Sequence, residues 1–188
     1  MFETILEDAT RAGDLRSVSL RYFNPIGADP ELRTGPSTPE PSHALGRLIS
    51  SWRAGRPFTI TGTDWPTPDG SGIRDYVHVW DLARAHVAAL ERFDDVAPES
   101  EPYRVFNIGT GKGVTVRELV SAFDRVVGEH VDVVDGPPRP GDSAGVYTRS
   151  MRAEQELGWR AERTREDGIR DSLAWAERLP ALLRFESR

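Results

Sequence analysis

The spacing of apolar and polar positions changes period several times along the chain. Ser17-Val18-Ser19-Leu20-Arg21-Tyr22-Phe23 alternates with a period of two and predicts a strand, with Gly13-Asp14 before it and Asn24-Pro25-Ile26-Gly27 after it. Phe58-Thr59-Ile60-Thr61, Tyr76-Val77-His78-Val79, Tyr103 to Ile108 and His130 to Asp135 read as further strands. Between them the period lengthens. Residues 1–9 set Phe2, Ile5, Leu6 and Ala9 on one helical face, and Ala44 to Ala54 does the same with Leu45, Leu48, Ile49 and Trp52 before a closing Gly55. A helix is predicted over 79–93, with Asp81 near its N-terminus, and others over 116–127, 151–157 and about 165–178. Trp159, in the break between the last two, is expected to fill a gap in the core. Strands alternating with helices predict an α/β fold with parallel pairing.

The connecting stretches carry the candidate chemistry. Residues 29–42 hold Pro30, Pro36, Pro39 and Pro41 and predict an extended loop of a length that tends to be functional. Residues 65–73 form a second stiff loop, with Pro66, Pro68, Gly70 and Gly72, that ends on Arg74-Asp75. An arginine mounted there suits an anionic ligand, because guanidinium presents a planar fork of donors. A structural ion pair to a nearby carboxylate explains it equally well. Asn24-Pro25-Ile26-Gly27 brings side chains to the carboxyl edge of a sheet, where open α/β folds bind ligands, although an ordinary turn accounts for it more simply. Gly109-Thr110-Gly111-Lys112-Gly113 misses both the Walker spacing and G-x-G-x-x-G, so a tight turn explains it better than a phosphate loop. Residues 136–142 are another stiff loop, carrying Arg139.

Charge and composition narrow the class. The net charge is −6, from 24 basic and 30 acidic residues without a basic block, which argues against nucleic acid. No apolar run reaches the roughly 20 residues of a bilayer span. There is no cysteine, which excludes disulfides and fits a reducing cytoplasm, and the four histidines lack metal-ligand spacing.

Taken together, LRYFNPIGA at 20–28, PTPDGSGIRDYVHVWDLA at 66–83, VFNIGTGKGVTV at 105–116, RPGD at 139–142 and ELGW at 156–159 resemble the C-terminal half of the UDP-glucose 4-epimerases. These are NAD-using members of the extended short-chain dehydrogenase/reductase family. The resemblance spans essentially the whole chain. It implies that strands near 17–23 and 103–108 belong to a Rossmann-type parallel sheet. Most of 29–75 and 130–188 would form a smaller α/β substrate-binding domain. By position it puts Phe23 at the nicotinamide end of NAD and Asn24 on the sugar diphosphate. It sets Thr59, Ile60 and Thr61 against uracil, Arg74 and Arg139 on the phosphates, and Asp142 on the uridine ribose. Leu45 is carried over as a substrate contact. Val146 falls against the C2 substituent of the sugar, where valine leaves room for an acetamido group.

The implied activity is UDP-glucose/UDP-galactose interconversion in galactose and nucleotide-sugar metabolism, in the cytoplasm, with a UDP-sugar as partner and room for a homodimer. A related sugar-nucleotide dehydratase or decarboxylase, or a non-catalytic sugar-nucleotide-binding module, are the rival readings. Two departures stand out. Neither the Gly-rich dinucleotide fingerprint nor the Tyr-x-x-x-Lys pair occurs in the sequence, so this chain alone is expected to be inactive. Ser42-His43-Ala44 also replaces an asparagine pair that many members carry.

Overall fold

Parallel strand pairs between residues far apart in sequence build the frame. The computed structural model describes residues 1–13, 15–38, 41–148 and 151–186, with side chains as far as 182. Asp14 and Pro39, named above in loops, lie outside the described residues. The chain opens with α1 (Phe2–Arg11), β1 (Ser17–Tyr22), β2 (Asn24–Ile26), α2 (Ala44–Arg53) and β3 (Phe58–Thr61). It continues through β4 (Ile73–Arg74), β5 (Tyr76–His78), α3 (Val79–Glu91) and α4 (Phe93–Val96). Then come β6 (Tyr103–Ile108), β7 (Val114–Thr115), α5 (Val116–Val127) and β8 (Val133–Gly136). It ends with β9 (Gly145–Val146), α6 (Met151–Leu157) and α7 (Arg165–Glu186). β1 pairs with β6 from Ser17↔Tyr103 to Tyr22↔Ile108, and β2 with β5 and β3 with β8 are parallel as well. β4 is flanked by antiparallel β7 and parallel β9. The α/β expectation with parallel pairing holds.

Two hydrophobic clusters sit on opposite sides of β5. Tyr76 points into one, with Leu45, Leu48, Ile60, Phe123 and Ile169. Val77 points into the other, with Leu82, Phe106, Ile108, Leu157 and Trp159. Successive side chains of a strand alternate faces, so one short strand serves both cores. Ala153 and Leu157 of α6 pack in the second cluster, so residues 151–159 lie with the β1–β6 pair and apart from the rest of 130–188. Trp159 fills the core as expected, 3% exposed, and its indole N–H donates to the Asp81 carbonyl at 2.8 Å.

The structure corrects two local expectations. Asp81 does not cap α3. That role falls to His78, whose Nδ1 accepts from the Trp80 N–H at 3.0 Å. Asp81 is fully buried, and its carboxylate accepts from the backbone N–H groups of Glu162 and Arg163, pinning that segment to α3. With Nδ1 an acceptor, His78 carries its proton on Nε2 and donates it to Asp171 at 3.0 Å, which ties β5 to α7. The apolar stripe of α1 is largely uncovered, with Phe2 79% and Ile5 57% exposed. Finally, α7 continues past residue 178 through Pro180, because a proline removes one N–H and distorts a helix without having to end it.

Helix starts are chemically fixed. Thr115 and Glu118 form a reciprocal capping box on α5. Thr164 and Asp167 make the same exchange at α7: Thr164 donates to the Asp167 carboxylate, and the Asp167 N–H donates to Thr164 Oγ1. Hydrogen bonds from Thr164 hold the Asp167 carboxyl at about 2. A carboxyl depressed on folding stabilises the protein above its unfolded pKa of about 3.9, and the contribution fades as pH falls toward 2. Asp167→Asn should therefore cost about 1 kcal/mol at pH 7 and nearly nothing at pH 2. Urea midpoints of both proteins across that range check it.

Candidate functional site

A cleft of about 270 Å³ opens beside the first cluster, where β2, β3, the start of α2 and the loops before β4 and β9 converge. Arg74 stands on its wall. Nη1 donates to the carbonyls of Ile73 at 2.7 Å and Ala144 at 3.3 Å, and Nη2 to that of Ser143 at 3.4 Å. Among the described residues no carboxylate lies within ion-pair distance of it, so the structural ion-pair reading of this arginine does not hold. A partly buried guanidinium held only by neutral carbonyls keeps its charge available to an anion.

Arg139 differs. It is 53% exposed and engages Asp142 through Nε at 3.2 Å and through its backbone N–H. That hydrogen bond holds the Asp142 carboxyl below the usual range. Both residues line the cleft. Backbone geometry brings their loop to Arg74. β9 pairs Gly145 with Ile73 and Val146 with Arg74. Gly145 has φ +111°, and a Cβ there would overlap the Ile73 carbonyl oxygen, so only glycine lets the strands close.

Asn24, Thr59, Ile60 and Thr61 also line the cleft. Leu45, Val146 and Phe23, the last expected on NAD, are not in the lining. Leu45 is fully buried in the first cluster, since its position on α2 faces the core, and Ser42, His43 and Ala44 face the cleft in its place. Phe23 is half-buried at the end of β1, its N–H bonded to the Ile108 carbonyl at 3.2 Å. Val146 is 62% exposed on β9, outside the lining.

Sequence reasoning passed over His43, Arg47, Trp65 and Tyr76, all of which line the cleft. His43 was detectable as a polar residue directly before the apolar stripe of α2. Tyr76 lay in a recognised strand whose two faces the sequence could not tell apart. Burial raises its phenol to about 12, and the hydroxyl has no partner among the described residues.

Comparison with known proteins gives the family. The profile of the NAD dependent epimerase/dehydratase family matches residues 1–109. The chain belongs to that family. It is 42% identical over 181 residues to a UDP-glucose 4-epimerase of Azospirillum brasilense, covering 95% of this chain and 51% of the relative. It superposes on the UDP-glucose 4-epimerase of Stenotrophomonas maltophila, solved with NAD and formylated UDP-arabinopyranose, with a TM-score of 0.87. Identity there is 34%, over 96% of this chain and 54% of that one. The Bifidobacterium longum enzyme with NAD+ and UDP gives 0.83 at 37% identity, over 95% and 52%. The chain thus spans about half the length of these family members.

The family is NAD dependent, but the glycine loop of this chain is no dinucleotide cradle. Its donors are already occupied. The Asp75 carboxylate, fully buried, accepts from the N–H and hydroxyl of Thr110 at 2.8 and 2.6 Å, from Gly111 N–H at 3.1 Å and from Thr148 N–H at 3.3 Å. Gly111 sits at φ +77°, and a Cβ on Gly109 would stand 2.6 Å from Asp75 Oδ2. The loop is indeed an anion cradle, but the anion is the protein's own. The single lysine, Lys112, has Ile108 four positions before it, which leaves no Tyr-x-x-x-Lys. The glycine loop does not fit a dinucleotide.

Proposed function

We propose that this chain supplies the nucleotide-sugar-binding part of a UDP-sugar 4-epimerase and corresponds to the C-terminal half of such an enzyme. The strands near 17–23 and 103–108 would be its Rossmann portion, and most of 29–75 and 130–188 its substrate domain. The observation that carries the reading is the convergence of Arg74, Arg139, Asp142, Asn24 and Thr59–Thr61 on one cleft. Arg74 would turn its donors from the carbonyls of Ser143 and Ala144 to a diphosphate oxygen. Arg139 would exchange Asp142 for the other phosphate, leaving that carboxylate to accept from the ribose. Two negative groups are thereby matched by two mounted cations. What these residues contribute is binding and orientation.

Calorimetry with uridine, UMP and UDP tests the reading. Affinity should rise at each added phosphate, by about tenfold or more per charged hydrogen bond. Equal affinity for uridine and UDP would remove the diphosphate from the cleft. The same protein should show no turnover of UDP-galactose and only weak NAD binding, because its sequence holds neither the Gly-rich fingerprint nor the Tyr-x-x-x-Lys pair. Product formation above a protein-free control in a coupled assay would contradict this.

A further inference from the structure

Outside the lining of the cleft, where β1 ends, a phenol meets an imidazole. Alternate side chains of a strand share a face, and Val18 and Leu20 pack that face of β1 against the second cluster. Tyr22 is the next position on it and reaches the rim, 51% exposed. On α3, Leu82, Ala85 and Ala89 form the buried stripe of the same cluster. His86 follows Leu82 by one turn and stands exposed beside that stripe.

The phenol oxygen of Tyr22 lies 2.7 Å from Nε2 of His86, with the ring centroids 5.5 Å apart. At the opposite side of the imidazole, Nδ1 lies 2.8 Å from the Leu82 carbonyl oxygen. A carbonyl oxygen only accepts, so Nδ1 carries a proton, and in the neutral ring Nε2 keeps a lone pair. Tyr22 therefore donates to His86, and His86 donates to Leu82. A hydroxyl, a base within its reach and a third group that fixes the tautomer of the base form the arrangement that activates a weak nucleophile.

The plain alternative is a tie between β1 and α3, a role that needs only an acceptor. The other three of the four tyrosines show phenols without such a base. Tyr103 shares a 3.3 Å hydrogen bond with the Ser19 hydroxyl, which is too weak a base to take its proton. Tyr76 is buried, and burial pushes its phenol up to about 12. Tyr147 is 49% exposed, as open as Tyr22, but has no histidine partner among the described residues. Tyr22 alone combines an open phenol with a base.

We infer that Tyr22 is a modification site, a nucleophile that His86 activates toward activated acyl groups. The Tyr22 oxygen attacks the acyl carbon while His86 Nε2 takes the phenol proton. The bond from that carbon to the leaving group then breaks, and the leaving group departs with the proton from the imidazolium. O-acyl Tyr22 and neutral His86 remain, with no oxidation or reduction. The dyad supplies a nucleophile and a base only, so the donor must bring its own good leaving group. Aryl esters, thioesters and acyl phosphates meet that demand, whereas amides and alkyl esters do not. The site owes nothing to the nucleotide reading above.

The test incubates the 188-residue chain with p-nitrophenyl acetate at neutral pH and follows acetylation of each tyrosine by peptide mass spectrometry. Tyr22 should react about tenfold or more faster than Tyr147, below the usual general-base effect because the dyad is open to water. That comparison is internal to one folded protein and stands without any variant. His86→Gln keeps an acceptor and a good helix former on α3 but offers no base. In it Tyr22 should slow to the rate of Tyr147, while Tyr147 keeps its wild-type rate. Tyr22 reacting no faster than Tyr147 in the wild-type protein would overturn the proposal. An unchanged Tyr22 rate in His86→Gln would overturn it too, and would leave the hydrogen bond as a tie between β1 and α3.

Discussion

Replacing Asp75 with alanine will destabilise the protein by roughly 3–5 kcal/mol, the range for removing a buried charged partner from its network. The carboxylate has no exposure and collects four hydrogen bonds from two places far apart in the sequence, Thr110–Gly111 and Thr148. Without it, two N–H groups of the glycine loop and that of Thr148 are left buried near an empty volume. The loop after β6 and the segment after β9 would lose their common anchor. Asp75→Asn should lie between the two, because the amide oxygen still accepts while its NH₂ opposes one of the donors. Urea unfolding of all three proteins measures the effect. An alanine variant within about 1 kcal/mol of wild type would mean the loop holds its shape unaided.

Arg74→Ala should weaken UDP binding by roughly 1.5–3 kcal/mol, or about 10- to 150-fold, the range for hydrogen bonds to charged groups. The loss at Arg139→Ala should be smaller. That side chain is half exposed and must first give up Asp142, so solvent screening and the exchanged ion pair both reduce its net contribution. The order of the two effects is as informative as their size. Unchanged UDP affinity together with lowered thermal stability in Arg74→Ala would show that the guanidinium only buttresses the carbonyls of Ser143 and Ala144.

The elements were legible because periodicity is local. β1, α2, β3, α5 and α6 stand within a residue or two of where alternation and helical stripes put them. Arg74 was legible as a mounted cation from its loop alone. What the sequence could not show was which partner each polar group had chosen. The glycine cluster was recognised as a turn, but the carboxylate it encloses lies more than thirty residues earlier, and only the fold brings them together. Asp81 looked like a helix cap because caps are local, and its real partners are the amides of residues 162 and 163. The stripe on α1 was read correctly as a stripe, yet periodicity says nothing about whether anything covers it. Leu45 and His43 make the sharpest case. They are two residues apart on one helix turn, one facing the core and one the cleft. Assigning them needed the helix's orientation, which no local pattern carries.

The most direct measurement is a two-dimensional amide NMR titration of the chain with UDP. Perturbations should gather at Asn24, Arg47, Thr59–Thr61, Arg74 and Ser143, and weaken in Arg74→Ala. Shifts confined instead to the apolar groove between α2 and α7, around Trp175 and Pro36, would contradict the account, and so would no shift at all at millimolar UDP.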